Sequence, residues 1–479
     1  MELLVPHLLN VLYLFLILLA LPWLAFQAIR TGKYREGYAA KFLGRVPRRN
    51  SKKKCLWLHA VSVGEVNLLA PLVRLIEREH PDWECVVSTT TRTGMALARK
   101  KYASRTVFYC PLDFTWAVRA AMDRVRPDVL VLAELELWPN LVAAARQSGA
   151  RVAVINGRLS EHSHRGYRRI RPLVARLLRQ IDLVAVQDET YARRFLDLGA
   201  RPETVHVTRS MKYDGAETDR GNPATRRLAE LAGFAPDDVV FLAGSTQEPE
   251  EAVALEVYQE LSPRWPKLRL VLVPRHPERF EAVAKLLDAS GVAWQRRTEL
   301  EGGRWKAEGH PRGTRRKAGA TEERPPDCIR GIGDGSAPAP PCPAPRVLLV
   351  DVVGELGAWW GTARIAFVGG SLGRRGGQNM IEPAAYGAAV SFGPNTRNFR
   401  DIVAAMLAHD AAAVVADGRQ LREFVAGCLE RPDEAAALGC RARRLVLDQL
   451  GATERTLALV TALVESPPVP QAANSRQAA

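Results

Sequence analysis

The chain has 479 residues, of which 67 are Lys or Arg and 52 Asp or Glu, a net charge of +15; apolar residues make up 47% and charged residues 25%. That balance excludes a mainly disordered, collagenous or coiled-coil chain, and the length exceeds one ordinary core, so two domains are expected. The positive surplus predicts an anionic partner. The seven scattered cysteines, with no CxxC spacing, predict neither a disulfide framework nor a zinc site.

The first predicted element is an uncharged run of 22 residues at 8–29. As a helix it would measure about 33 Å, enough to cross a hydrocarbon core. The start carries Glu2 and no Lys or Arg, while basic residues crowd the stretch after it, from Arg30 to Lys54. This is the reverse of a secretory signal. It predicts an uncleaved anchor over 1–30, a basic juxtamembrane linker over 31–54 and a cytoplasmic body. Asn10 and Pro22 inside the run leave a shallow interfacial helix as the alternative.

From residue 55 short apolar runs alternate with helix-like segments. Strands are predicted at 55–61, 83–89, 106–111, 129–134, 152–158 and 183–187. A polar stretch at 214–222 interrupts the series, which resumes at 239–244, 268–275, 346–351, 364–370 and 388–393. Near-continuous apolar strands between helices indicate α/β architecture with parallel sheets covered on both faces. Two Rossmann-like, doubly wound halves are expected, at 55–218 and 219–466. The stretch 305–345, dense in Pro, Gly and charge, reads as a disordered insertion in the second half, and 467–479 as a disordered tail.

In open α/β sheets ligands bind beyond the carboxyl ends of strands. Glu65, in the Ser-Val-Gly-Glu run at 62–65, follows the first strand near a helix start, where the helix dipole is expected to lower its pKa. The hydroxyl-rich run at 88–94 follows the second strand and suits a phosphate. Glu134 and Glu136 follow the fourth strand beside Trp138, with alternation placing them on one side, and Arg158 ends the fifth. Lys212 lies in the segment before the polar stretch. In the second half, Ser245, Pro274 with Arg275, and Gly354, Glu355 and Leu356 all follow strands. The last such position is a Gly-rich run from Gly369 that leads into Asn379, Met380, Ile381 and Glu382. There, free backbone N–H groups are expected to form an anion cradle needing no metal, with Glu382 on ribose hydroxyls.

In this order, WLHAVSVGE, STTTRTG, ELELWPN, NGRLS, GSTQEPEE, VPRHPERF, VGELG and GGSL…GGQNMIEPA resemble the motifs of the Kdo transferases, the 3-deoxy-D-manno-oct-2-ulosonic acid transferases of lipopolysaccharide assembly. The resemblance covers about residues 30–460 outside the insertion. It implies a GT-B glycosyltransferase with two Rossmann-like domains facing a central cleft, on the inner face of the cytoplasmic membrane. Kdo would pass from CMP-Kdo to a lipid A precursor with inversion. The acceptor would lie on the N-terminal domain and CMP-Kdo on the C-terminal one. The family's base falls on Glu65. Its CMP contacts fall on Pro274 and Arg275, on Gly354, Glu355 and Leu356, and on Asn379, Met380, Ile381 and Glu382. No cofactor, metal or nucleic acid is implied.

The chain has Gln247 and Gln378 where the family usually has His, Pro249 for Gly, Leu135 for Thr, and Arg209-Ser210 for Gly-Asn. Glutamine keeps a hydrogen bond but cannot titrate near neutrality, which bears on any proton-transfer role at 247 or 378. The competing readings are a GT-B transferase or epimerase using a nucleoside-diphosphate sugar, and a membrane-bound binding protein of altered catalysis.

Overall fold

The computed structural model describes residues 4–31, 36–300 and 346–466. The expected insertion at 305–345 and tail at 467–479 lie outside the described residues. The chain divides into two compact units, 1–215 with 449–479, and 216–448.

Among the described residues the first unit holds seven parallel strands: β1 (Lys54–His59), β2 (Trp83–Thr89), β3 (Val107–Tyr109), β4 (Val129–Ala133), β5 (Arg151–Gly157), β6 (Leu183–Val186) and β7 (Val205–Val207), in the order β3-β2-β1-β4-β5-β6-β7. Alternation splits the strand side chains between two layers. Cys55 and Trp57 enter one with Leu130 and Leu132; Leu56 and Leu58 enter the other with Val129 and Val131. A sheet buried on both faces has no polar face, which is why its strands read as unbroken apolar runs. The order reverses between β1 and β4, so the crevice beyond their carboxyl ends is where a doubly wound sheet binds ligands.

The second unit repeats the plan with β8 (Val239–Thr246), β9 (Leu268–Pro274), β10 (Trp294–Arg296), β11 (Val347–Leu349), β12 (Ile365–Val368), β13 (Ala389–Phe392) and β14 (Ala413–Val414), ordered β10-β11-β9-β8-β12-β13-β14. Its reversal falls between β8 and β12. Two Rossmann-like parallel sheets in one chain are the GT-B architecture. The strands absent from the sequence reading, β7, β10 and β14, are two or three residues long, lie at or beside sheet edges and are only partly buried. β4 stops at Ala133, one residue early, because Glu134 turns into left-handed backbone (φ 59°).

One boundary differs from expectation. The helix Ala452–Glu465 belongs to the first unit, not to a continuous domain over 219–466. Its Leu457 and Val460 enter the core layer of Leu56 and Leu58. Asp214 fixes its start: the carboxylate accepts the N–H of Gly451 (2.8 Å) and the hydroxyl of Thr453 (2.6 Å).

Candidate functional site

β1 ends at His59, and the helix Val63–Glu79 begins after a three-residue turn. Ser62 caps it, its Oγ accepting the N–H of Glu65 at 3.4 Å. Glu65 answers in the manner of a capping box: Oε1 accepts from Ser62 Oγ at 2.8 Å and Oε2 from the Val61 N–H at 2.7 Å. Burial raises the Glu65 pKa; these two bonds oppose the rise, Glu134 adds to it and Lys212 opposes it. The lowering expected from the helix dipole is therefore overridden by desolvation. A carboxylate raised toward neutrality is a stronger base than an ordinary surface glutamate.

Glu134 and Glu136 share this environment. Glu134 is held in left-handed backbone, at a cost of about 1–3 kcal/mol for a non-glycine residue, with its N–H on the Ile155 carbonyl at 2.9 Å. Its carboxylate accepts from Arg158 Nε at 3.0 Å and pairs with Lys212 Nζ at 2.8 Å. Glu136 accepts from the Trp138 indole at 3.1 Å. Burial, then the charges of Glu65 and Glu134, push Glu136 up to about 7. The structure thus gathers Glu65, Glu134, Glu136, Arg158 and Lys212 at the carboxyl ends of β1, β4 and β5, around the reversal of the first sheet. His59, at the end of β1, is fully buried and held down to about 4 by desolvation, so it is a weak base shut away from solvent and no rival to Glu65.

Two roles are not legible in the sequence. Buried Asn156, at φ 53°, accepts the Met211 N–H at 3.0 Å, so it seats the segment that delivers Lys212. In the hydroxyl-rich run at 88–94, two hydroxyls serve the protein itself. Thr89 and Thr91 both donate to the Val61 carbonyl, at 3.1 and 3.0 Å, and so brace the turn that carries Glu65. Gly94 is required there: a Cβ would lie 2.6 Å from Thr89 Oγ1 and 2.8 Å from Thr91 Oγ1.

In the second unit the first N–H groups of the Gly-rich run are taken by a carboxylate of the protein. Glu250, 1% exposed, takes three of them together with that of Gln247: Oε2 accepts from Gln247 (2.9 Å) and Gly370 (2.7 Å), Oε1 from Ser371 and Leu372 (both 2.9 Å). Gly369 has no room for a side chain, since a Cβ would lie 2.6 Å from Thr246 Cα. Gln247 and Gln378 flank Gly370 together: a Cβ there would meet their amide nitrogens at 3.5 and 3.1 Å. The acidic motif was legible, but its use as an internal anion was not, because only the fold reveals which N–H groups it meets.

Pro274 is buried at the end of β9, and the exposed Arg275 that follows is held by its N–H on the Thr246 carbonyl at 3.0 Å. Burial raises the Glu382 pKa, while Asn379 and the charge of Arg275 oppose the rise. Asn379 donates to Glu382 at 3.0 Å and accepts the Ile381 N–H at 3.1 Å. Met380 and Ile381 are buried below. Ser245 is buried at φ 54° on the last turn of β8. Gly354, at φ 100°, has open space around its Cα. The Glu355 carboxylate is committed to the buried Arg297 by two bonds, at 2.8 and 2.9 Å, and to the Trp359 indole at 3.2 Å, leaving Leu356 to open a single helical turn. A cavity of about 490 Å³ opens beside Gln247, His276, Arg279, Gly370 and Arg374. A larger one, about 770 Å³, lies in the first unit by Lys54, Asp128 and Arg151, at the amino ends of the strands and so at the opposite end from Glu65.

Residues 36–215 match the family model described as 3-deoxy-D-manno-octulosonic-acid transferase (kdotransferase). The 3-deoxy-D-manno-octulosonic acid transferase of Bordetella pertussis is 32% identical over 447 residues, 91% of this chain and 94% of that one. Its Haemophilus influenzae counterpart is 28% identical over 450 residues, 93% and 96% of the two chains. A UDP-GlcNAc 2-epimerase from Neisseria meningitidis superposes with a TM-score of 0.53 at 13% identity, over 85% of this chain and 100% of that one, a likeness of fold. On its sequence, the chain belongs to the family of 3-deoxy-D-manno-octulosonic acid transferases.

Proposed function

We propose that this glycosyltransferase moves Kdo from CMP-Kdo to a hydroxyl of a phosphorylated lipid A precursor with inversion, and that Glu65 is the general base. The acceptor oxygen attacks the anomeric carbon of Kdo, and its proton passes to a carboxylate oxygen of Glu65. The bond from the anomeric carbon to the phosphate oxygen breaks, and CMP departs with the electron pair. The observation that carries this reading is the Glu65 carboxylate at the reversal of the first sheet, fixed by Val61 and Ser62 and raised by burial.

Glu134, neutralised by Arg158 and Lys212, holds those two cations near the base, where they suit the phosphates of the acceptor. On the second unit, Arg275 beside Glu382 suits the phosphate and ribose of the nucleotide, with Gly354 and Asn379 close to them in the motif order. Glu355, tied to Arg297, acts on the nucleotide through the loop that it holds. The apolar helix Leu4–Thr31 and the net charge of +15 fit a membrane-bound, anionic acceptor. A transfer assay with CMP-Kdo and a tetra-acylated, bis-phosphorylated acceptor tests the reading. Formation of the Kdo-lipid and release of CMP are expected, and transfer from a UDP-sugar but not from CMP-Kdo contradicts it.

A further inference from the structure

The helix Leu4–Thr31 is apolar enough to cross a membrane. Its polar residues nevertheless seat it on the first unit. Asn10, 6% exposed, donates through Nδ2 to Thr115 Oγ1 at 2.8 Å and accepts the Thr115 N–H at 3.1 Å. One turn on, the Tyr13 hydroxyl donates to Asp113 at 3.2 Å, and its ring meets Phe114 edge-on at 6.2 Å. The Asp113 carboxylate also accepts the N–H groups of Asn140 and Leu141, so the seat is built into the start of the helix Pro139–Gln147.

The chain beyond the helix returns to the same place. Tyr109 donates to Glu36 at 3.1 Å, the Leu112 N–H donates to the Lys41 carbonyl at 2.7 Å, and Gly44 packs on Ala117 too closely for any Cβ. Positions 10, 13, 36, 41 and 44 are therefore all fixed to one stretch, 109–117. From Tyr13 to Thr31 the helix advances about 27 Å. From Thr31 to Glu36 five residue steps reach at most about 18 Å. A crossing helix would leave Asn10 across a hydrocarbon layer about 30 Å thick from the unit that binds Glu36. The two attachments cannot both hold in that arrangement.

Burial along the helix agrees. Pro6, Asn10, Tyr13, Ile17, Ala20 and Gln27 are partly or fully covered, at spacings of three, four and seven, as a single stripe. Phe15, Leu18, Leu19, Trp23, Phe26 and Ile29 are open. Tyr38 and Trp116, residue types that favour the headgroup level, are also exposed near the seat; Arg45 and Arg48 are exposed beyond them, and Arg30 at the far end of the helix. We infer that the helix lies in the plane of the membrane, its Asn10 stripe on the first unit and its opposite apolar face among the acyl chains of one leaflet, and that this helix does not cross. The inference rests on the proposed membrane-bound function.

The test is a cross-link in isolated membranes of cells making the full chain as N10C with T115C. The in-plane helix gives a joined pair, detected as fragments that stay together after proteolysis between the two positions, well above either single-cysteine control. A crossing helix gives none. Because the double variant can disturb the seat, an epitope tag before Met1 on the otherwise unchanged chain provides a second reading. In intact spheroplasts it is expected to resist external protease until the membrane is opened, and its loss beforehand overturns the in-plane orientation. A chain recovered in the soluble fraction overturns the membrane reading itself, and this inference with it; a membrane-bound chain with no cross-link and a cleaved tag overturns only the orientation.

Discussion

The replacement Glu250→Gln probes the loop of the second unit most sharply. The four backbone N–H groups of Gln247, Gly370, Ser371 and Leu372 divide two and two between the carboxylate oxygens. Glutamine keeps one oxygen and turns the other into a donor, so either orientation of the amide leaves two N–H groups facing N–H. Each buried donor without an acceptor costs about 1–3 kcal/mol, giving about 2–6 kcal/mol in all. A unit of this size loses about 2–4 °C of midpoint per kcal/mol, so a central value of about 4 kcal/mol lowers its transition by about 8–16 °C. Calorimetry of the full chain in detergent resolves the measurement, with CMP added to identify the transition of the second unit, since binding to the folded state raises its midpoint. An unmoved transition with unaltered CMP affinity would refute the role given to Glu250.

Three further outcomes follow from the geometry. Glu136 rises from the ordinary 4.5 to about 7 in the folded state, so the folded chain binds more protons between those values. Stability is expected to fall as pH rises through that window, and Glu136→Gln, followed by thermal denaturation across pH, is expected to flatten the decline. Lys212→Met removes a charge that lowers Glu65, so the acid limb of kcat/KM is expected to move to higher pH, which rate profiles check directly. Arg275→Ala is expected to weaken CMP binding about 10- to 100-fold in titration calorimetry, the range for losing a charged hydrogen bond of about 1.5–3 kcal/mol.

The two sheets were legible because their inner strands are buried on both faces and most site residues end or follow a strand. Glu65, Glu134, Glu136 and Arg158 could be placed by that rule alone, and the fold gathers them. The sequence was silent on who consumes which N–H: the N–H groups of Gly370, Ser371 and Leu372 read as open until Glu250 is found on them. Thr89 and Thr91 read as part of a phosphate site, whereas both hydroxyls donate to the Val61 carbonyl, and the bond from Met211 to Asn156 needed the fold. The last helix read as part of the second domain, because nothing local distinguishes an apolar face that packs at home from one that returns to Leu56 and Leu58. Asn10 was the one local sign that the apolar helix has a protein partner, and its meaning needed Thr115.

The central claim is that the Glu65 carboxylate removes the acceptor proton. Glu65→Gln preserves shape and one hydrogen bond to the turn, so folding and CMP binding are expected to survive. Transfer from CMP-Kdo to the lipid acceptor, timed beside the native chain, is expected to fall about 10²–10⁴-fold with the KM for CMP-Kdo little changed. Turnover at the native rate in that variant would contradict the account.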